Sequence, residues 1–233
     1  MRILAIESSA VTASVAILED DTLVAEYTIN HKMTHSQTLL PMIDEIFSMV
    51  QLKPDDVDVI AVSKGPGSFT GLRIGAATGK GIALALDKKM VAVSTLAAMA
   101  YNLYGDSRYI CPVMDARRKH LYSGIYTFDG EKLVTVRDVN LESYDELAEE
   151  LVGLDGQIVL VGDGVDVAGD VLKEQLGDKC VLAPAHIKTQ RAGSVALLAK
   201  QMADNDEYTD ADELKPDYLR PSQAEREKAQ HES

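Results

Sequence analysis

The chain has no tryptophan, three phenylalanines and two cysteines among its 233 residues. Cys111 and Cys180 sit in apolar stretches, without a Cys-x-x-Cys pair or a histidine-rich neighbourhood, so buried reduced thiols are expected rather than a disulfide or a zinc site. No apolar run approaches the ~18 residues of a membrane span. The stretch from Met1 to Ile6 is too short to be the core of a signal peptide. A soluble, cytoplasmic protein with no membrane partner is the expectation. Basic residues are also scarce, at 23 Lys+Arg against 37 Asp+Glu, and a net charge of −14 repels nucleic acid and acidic membranes. Direct binding of RNA by this chain alone is not expected. What the sequence does have is 46% hydrophobic residues, enough for one large domain or two modest ones.

Three strands open the pattern, at Arg2 to Ile6, Ser14 to Leu18 and Leu23 to Ile29, with Glu19-Asp20-Asp21 as a turn. A helix follows, with Thr34 as N-cap and Gln37 completing a capping box. Val57 to Val62 reads as a buried strand, Gly65 to Gly71 as a glycine-rich turn, the stretch to about Leu86 as a long helix, and Met90 to Val93 as a further strand. The order then repeats. Strands are expected around Tyr109 to Met114, Leu121 to Phe128 and Lys132 to Val136, a helix at Tyr144 to Leu151, and a strand at Ile158 to Val161. After the turn Gly162-Asp163-Gly164 come helices from about Val167 to Leu176 and Ala192 to Ala203, with a short strand at Cys180 to Leu182 between them. The expected fold class is α/β with two similar lobes. The first lobe covers 1–105 and receives a returning helix at 191–207, and the second covers 106–190. The charged stretch from Asp204 to Ser233 is expected to be loose apart from Leu214 to Leu219, with 208–233 set apart as a tail.

The segment Gly65-Pro66-Gly67-Ser68-Phe69-Thr70-Gly71-Leu72-Arg73-Ile74-Gly75 leaves a strand and enters a helix, where free amides can hold an anion. A nucleotide P-loop fails on spacing, because Gly75 to Gly81 has three residues between glycines and lacks the hydroxyl after the lysine. A tight turn capped by Ser68 or Thr70 accounts for the first glycines. Gly71, Gly75 and Gly79 recur every four residues in a helix, where each costs about 0.8–1 kcal/mol relative to alanine. Close packing against the chain's own sheet, or against a second chain, would offset that. On the preceding helix, Leu39, Leu40, Met42, Ile43, Ile46, Phe47, Met49 and Val50 span about 180°, wider than the ~100° stripe of one packing surface. These two helices are therefore candidates for a protein–protein interface, with Leu39, Met42, Ile43, Ile46, Met49, Gly71, Gly75 and Gly79 on it. His31 and His35 have metal-ligand spacing, but the capping argument leaves His31 in a loop and no third ligand follows. No catalytic, cofactor-binding or metal-binding residue is assigned.

The Gly65 to Gly75 segment closely resembles the signature of the TsaB (YeaZ) family. Ile6-Glu7-Ser8-Ser9, His35-Ser36-Gln37, Asp115-Ala116-Arg117-Arg118, Gly162-Asp163-Gly164 and Pro216-Asp217-Tyr218-Leu219-Arg220 extend the resemblance over nearly the whole chain. It implies the superfamily of sugar kinases, actin and heat-shock chaperones. It also implies a non-catalytic subunit in tRNA threonylcarbamoyladenosine synthesis that pairs with a TsaD-like transferase, works with a TsaE-like ATPase and forms a homodimer when alone. Thr70 and Arg73 would be interface contacts. No cofactor would be held tightly by this chain alone, with ATP and Mg²⁺ entering at the level of the complex. Unlike the kinase-like relatives, the turns Ser8 to Thr12 and Asp115 to Arg118 contain no glycine, and Thr95 to Tyr104 lacks the histidines of the TsaD metal motif. The alternatives are a stand-alone kinase-fold enzyme or metal-dependent transferase or peptidase, with Glu7 and Asp115 as metal holders, and a homodimeric module unconnected with tRNA.

Overall fold

Alternation along the first strand decides what lies on each side of the first sheet. In the computed structural model, which describes residues 1–219, β1 (Arg2–Glu7) directs Leu4 and Ile6 to one face and Ile3 and Ala5 to the other. Both faces are buried, so the strand reads as a continuous apolar run. It pairs antiparallel with β2 (Thr12–Glu19), which pairs antiparallel with β3 (Thr22–Asn30). On its other edge β1 runs parallel to β4 (Val59–Gly65), which runs parallel to β5 (Lys89–Ser94).

One face of this sheet is covered by α1 (His35–Val50) and α2 (Phe69–Leu86). The other meets α3 (Thr95–Tyr101) and the late helix α7 (Ala192–Asp204). Helix α7 is tied across the sheet by Ala192 N–H to Ser14 Oγ at 3.0 Å and Gly193 N–H to Glu26 Oε1 at 2.8 Å.

The second sheet repeats the plan. It comprises β6 (Tyr109–Asp115), β7 (His120–Asp129), β8 (Lys132–Ser143), β9 (Ile158–Val161) and β10 (Cys180–Leu182), in the order β10-β9-β6-β7-β8. The first sheet has the order β3-β2-β1-β4-β5, so β6 occupies the place of β1. Helices α4 (Tyr144–Val152) and α5 (Val165–Leu176) pack on its outer face. The inner face meets Leu96, Met99, Ala100 and Tyr101 of α3, near the short α6 (Ala185–Lys188). The expected α/β fold of two similar lobes is therefore the observed one.

Four local expectations change. Thr34 takes the N-cap place of α1 without a side-chain cap, because its hydroxyl donates to Gln37 Oε1 at 2.8 Å and the capping box is not formed. The strand expected at Lys132 to Val136 continues to Ser143, held by the long antiparallel partner β7 across two register shifts. Helix α3 has no expected counterpart. It is short, apolar on all sides and buried between the lobes, so it carries no amphipathic period. Within the stretch expected to be loose, Thr209 is attached by a bridge to Met90; Leu214 to Leu219, excepted from that expectation, is attached as well, with Leu214 buried and Asp217 N–H donating to Lys64 O at 2.7 Å. The remainder of that expectation, from Arg220 onward, lies outside the described residues.

Candidate functional site

The glycine-rich turn is built against the first hairpin. Ser68 caps α2 by accepting from Gly71 N–H at 3.3 Å, and Ser68 N–H donates to Ser9 O at 2.6 Å. A Cβ at Gly71 would lie 2.1 Å from Ser8 O, one at Gly75 2.1 Å from Ser8 Oγ, and one at Gly79 2.5 Å from Val62 Cγ1. All three glycines thus let α2 sit directly on β1 and β4. The close-packing partner is the chain's own sheet. Thr70 and Arg73 stand on the opposite, exposed side of α2 with Ala77 and Leu84.

On α1, Leu39, Met42, Ile43 and Ile46 are buried in the chain's own core, between the helix and the sheet. They are not available as a surface. Met49, at 65% exposure, and Leu40, at 58%, flank that buried stripe, and Leu84 on α2 is 65% exposed. Of the candidate interface residues, Met49, Thr70 and Arg73 are therefore the exposed ones. Leu40 and Leu84 join them only once burial is known.

Arg73 is not free on this surface. Its guanidinium lies 3.8 Å from the Phe69 ring centroid, and its Nε donates to the Tyr218 hydroxyl at 3.0 Å. Tyr218 in turn lies against Phe69, with ring centroids 4.6 Å apart. Lys64 Nζ is 3.2 Å from Asp217 Oδ2, so residues 217–219 form a strap across the start of α2. Behind the strap is a cavity of about 430 Å³ between the lobes, lined by Lys64, Ser94, Tyr126, Thr135, Asp138 and Tyr218 among others. Burial pushes the Tyr126 hydroxyl up to about 12, which keeps it a neutral donor. Ser94 is engaged as the cap of α3.

Carboxylates meet where the lobes join. Glu7, at the end of β1, is buried and accepts at Oε1 from Ser9 N–H at 2.6 Å and Ser9 Oγ at 2.5 Å. Burial raises its pKa above the ordinary carboxylate value, and the charge of Asp163 from the other lobe adds to the rise. Asp163 is raised for the same first reason, while Gln190 Nε2 donates to it at 2.7 Å. Asp115, at the equivalent end of β6, accepts from Arg117 N–H at 2.8 Å and pairs with the Arg117 guanidinium at 3.1 Å.

These are the groups that would hold Mg²⁺ and nucleotide in a kinase-like reading, and they fit that role poorly. Glu7 and Asp115 are each engaged inside their own hairpin. The turn after Glu7 gives its Ser9 amide to Glu7 and its Ser9 carbonyl to α2. His31 is exposed, whereas His35 is buried with Nε2 2.7 Å from Ala10 O, so the two rings do not form a site. No group of three or more potential ligands converges among the described residues.

The hairpin after Asp115 has an unusual backbone. Arg117, Arg118 and Lys119 have φ of 66°, 56° and 58°, a left-handed conformation costing about 1–2 kcal/mol per non-glycine residue. In the sequence, Asp115 to Arg118 stand out only as part of a family pattern. Nothing in residue order indicates three successive left-handed residues without glycine.

The family model described as "TsaD: tRNA N6-adenosine threonylcarbamoyltransferase" matches residues 22–228. The tRNA threonylcarbamoyladenosine biosynthesis protein TsaB of Bacillus subtilis (strain 168) is 34% identical over 228 residues, covering 97% of this chain and 96% of that protein. The solved structure of YeaZ from Pseudomonas aeruginosa matches with a TM-score of 0.81 at 27% identity, over 94% of this chain and 99% of that one. A ROK hexokinase from Thermus thermophilus matches with a TM-score of 0.50 at 10% identity, over 88% and 100%, a likeness of fold alone. A duplicated, kinase-like architecture and a match along nearly the entire sequence agree: the chain belongs to the TsaB (YeaZ) family.

Proposed function

We propose that the chain is the non-catalytic partner subunit of a TsaD-like transferase, acting in the biosynthesis of tRNA threonylcarbamoyladenosine. The role in that biosynthesis follows from membership of the family. The observation that carries the non-catalytic reading is the state of Glu7 and Asp115: the carboxylates ending the two equivalent strands are engaged by Ser9 and Arg117. Each spends hydrogen-bonding capacity inside its own hairpin, Glu7 through Oε1 and Asp115 through both oxygens.

The pairing surface in this reading is the outer side of α1 and α2. Leu40, Met49 and Leu84 supply exposed apolar area, and Thr70 and Arg73 supply polar contacts on the same outer side of α2 as Leu84. The same surface serves a homodimer when the partner is absent. A TsaE-like ATPase joins the assembly in the cytoplasm, and ATP with Mg²⁺ binds in the complex rather than to this chain's own hairpins. No helix among the described residues is long and apolar enough to cross a membrane.

Size-exclusion light scattering of the chain, alone and mixed with the TsaD protein of the same organism, tests the proposal. The expected result is a homodimer that gives way to a mixed complex, with Met49→Asp weakening both and leaving the fold intact. A chain that ignores TsaD with and without Mg-ATP overturns it. Tight Mg-ATP binding or turnover by the isolated chain would restore the kinase-fold alternative.

A further inference from the structure

We infer that the tip of the β6–β7 hairpin, Arg117-Arg118-Lys119, is a contact point for the phosphate backbone of RNA. The inference rests on the tRNA reading above for the identity of the polyanion, but its physical basis is local. All three residues are exposed, and Arg117 has 82% of its side chain in solvent. Arg117 is paired with Asp115, while Arg118 and Lys119 have no carboxylate partner among the described residues.

The backbone strengthens the case. Ala116 N–H donates to His120 O, His120 N–H to Arg117 O, and Arg117 N–H to Asp115. The N–H groups of Arg118 and Lys119 donate to no protein acceptor among the described residues. Two free amides and two unpaired cations therefore share one hairpin tip, the donor set that oxyanions select. At the β7–β8 turn, where a left-handed residue is also required, the chain places Gly130 with φ of 61°. Elsewhere among the described residues non-glycine residues adopt this conformation singly, as Asp20 does in the β2–β3 turn, whereas at β6–β7 three stand in succession and all are basic.

The tip is exposed, and it is not among the residues lining the interlobe cavity. A small anion needs a concave site for affinity. A polynucleotide spreads its phosphates along a surface and needs only a contact point. The net charge of −14 opposes such binding at long range, but at physiological salt the Debye length of about 8 Å leaves the tip to act on what is placed against it. A partner that binds the RNA would place it there.

Two measurements test this. In the chain alone, at physiological salt, mass action can stand in for the partner's presentation: a short single-stranded RNA oligonucleotide at millimolar concentration should shift the backbone amide resonances of Arg118 and Lys119, while inorganic phosphate at the same phosphate concentration does not. In the complex with the TsaD-like partner, Arg118→Gly with Lys119→Gly keeps the left-handed turn and removes both charges. It should lower tRNA affinity about tenfold and reduce the salt-dependence slope by roughly 1.5–2. Equal shifts with phosphate and RNA, no shift at either amide, or unchanged tRNA affinity in an intact complex would overturn the inference. If the wild-type complex does not form, the partner reading fails on its own, and the amide titration still decides the hairpin.

Discussion

Tyr218 accepts a hydrogen bond from Arg73 across 145 residues of sequence, and its ring lies against Phe69. The chain after Asp217 is thereby attached to the start of α2. Tyr218→Ala removes an aromatic contact worth about 0.5–1.5 kcal/mol. The strap is not core, so the thermal midpoint should move little, while limited proteolysis between Leu214 and Leu219 should speed up about two- to tenfold. Cleavage at the wild-type rate would show that the ring contact does not hold the strap.

Gly75 and Gly81 lie on the same helix and should respond oppositely to alanine. A Cβ at Gly75 meets Ser8 Oγ at 2.1 Å, whereas one at Gly81 meets nothing within 4 Å. Gly75→Ala should cost about 1–3 kcal/mol by overpacking. Gly81→Ala should gain about 0.8–1 kcal/mol from helix propensity. Urea unfolding of both variants gives the comparison, and changes of the same sign would mean that α2 is not pressed onto β1.

The α1 stripe divides in the same manner. Ile46→Ala removes a fully buried side chain and should cost about 2–5 kcal/mol. Met49→Asp alters an exposed position and should stay within about 0.5 kcal/mol of wild type in a dilute, monomeric sample. A large stability loss in Met49→Asp under those conditions would place Met49 in the fold rather than on a docking surface.

The lobe junction should leave a signature in pH dependence. Burial raises Glu7 and Asp163 above their unfolded values, so between the unfolded and folded pKa the native state holds more protons. Their contribution to stability is complete below the unfolded carboxylate value of about 4 and declines as pH rises through the folded one. Glu7→Gln does not titrate and still offers an oxygen to Ser9. Its melting temperature relative to wild type should therefore rise as pH increases from about 4, each kcal/mol reading as roughly 2–4 °C. A difference that does not vary with pH would show that Glu7 is not the titrating group.

Much of this protein is legible in its amino-acid order. The doubled succession of strands and helices follows from apolar periodicity, and the family follows from Gly65 to Gly75 with its supporting motifs. Helix α3 is not legible there, because a helix buried on all sides loses the periodicity that marks one. The sequence by itself determined which residues are apolar, where turns fall and that the chain is acidic, since these depend on composition and near neighbours. Only the tertiary structure decided that the α1 stripe covers the chain's own sheet, that Gly71 and Gly75 face Ser8, and that the charge of Asp163 reaches Glu7. Each of those facts joins segments distant along the chain, and burial is a property of the surfaces that meet rather than of either segment alone.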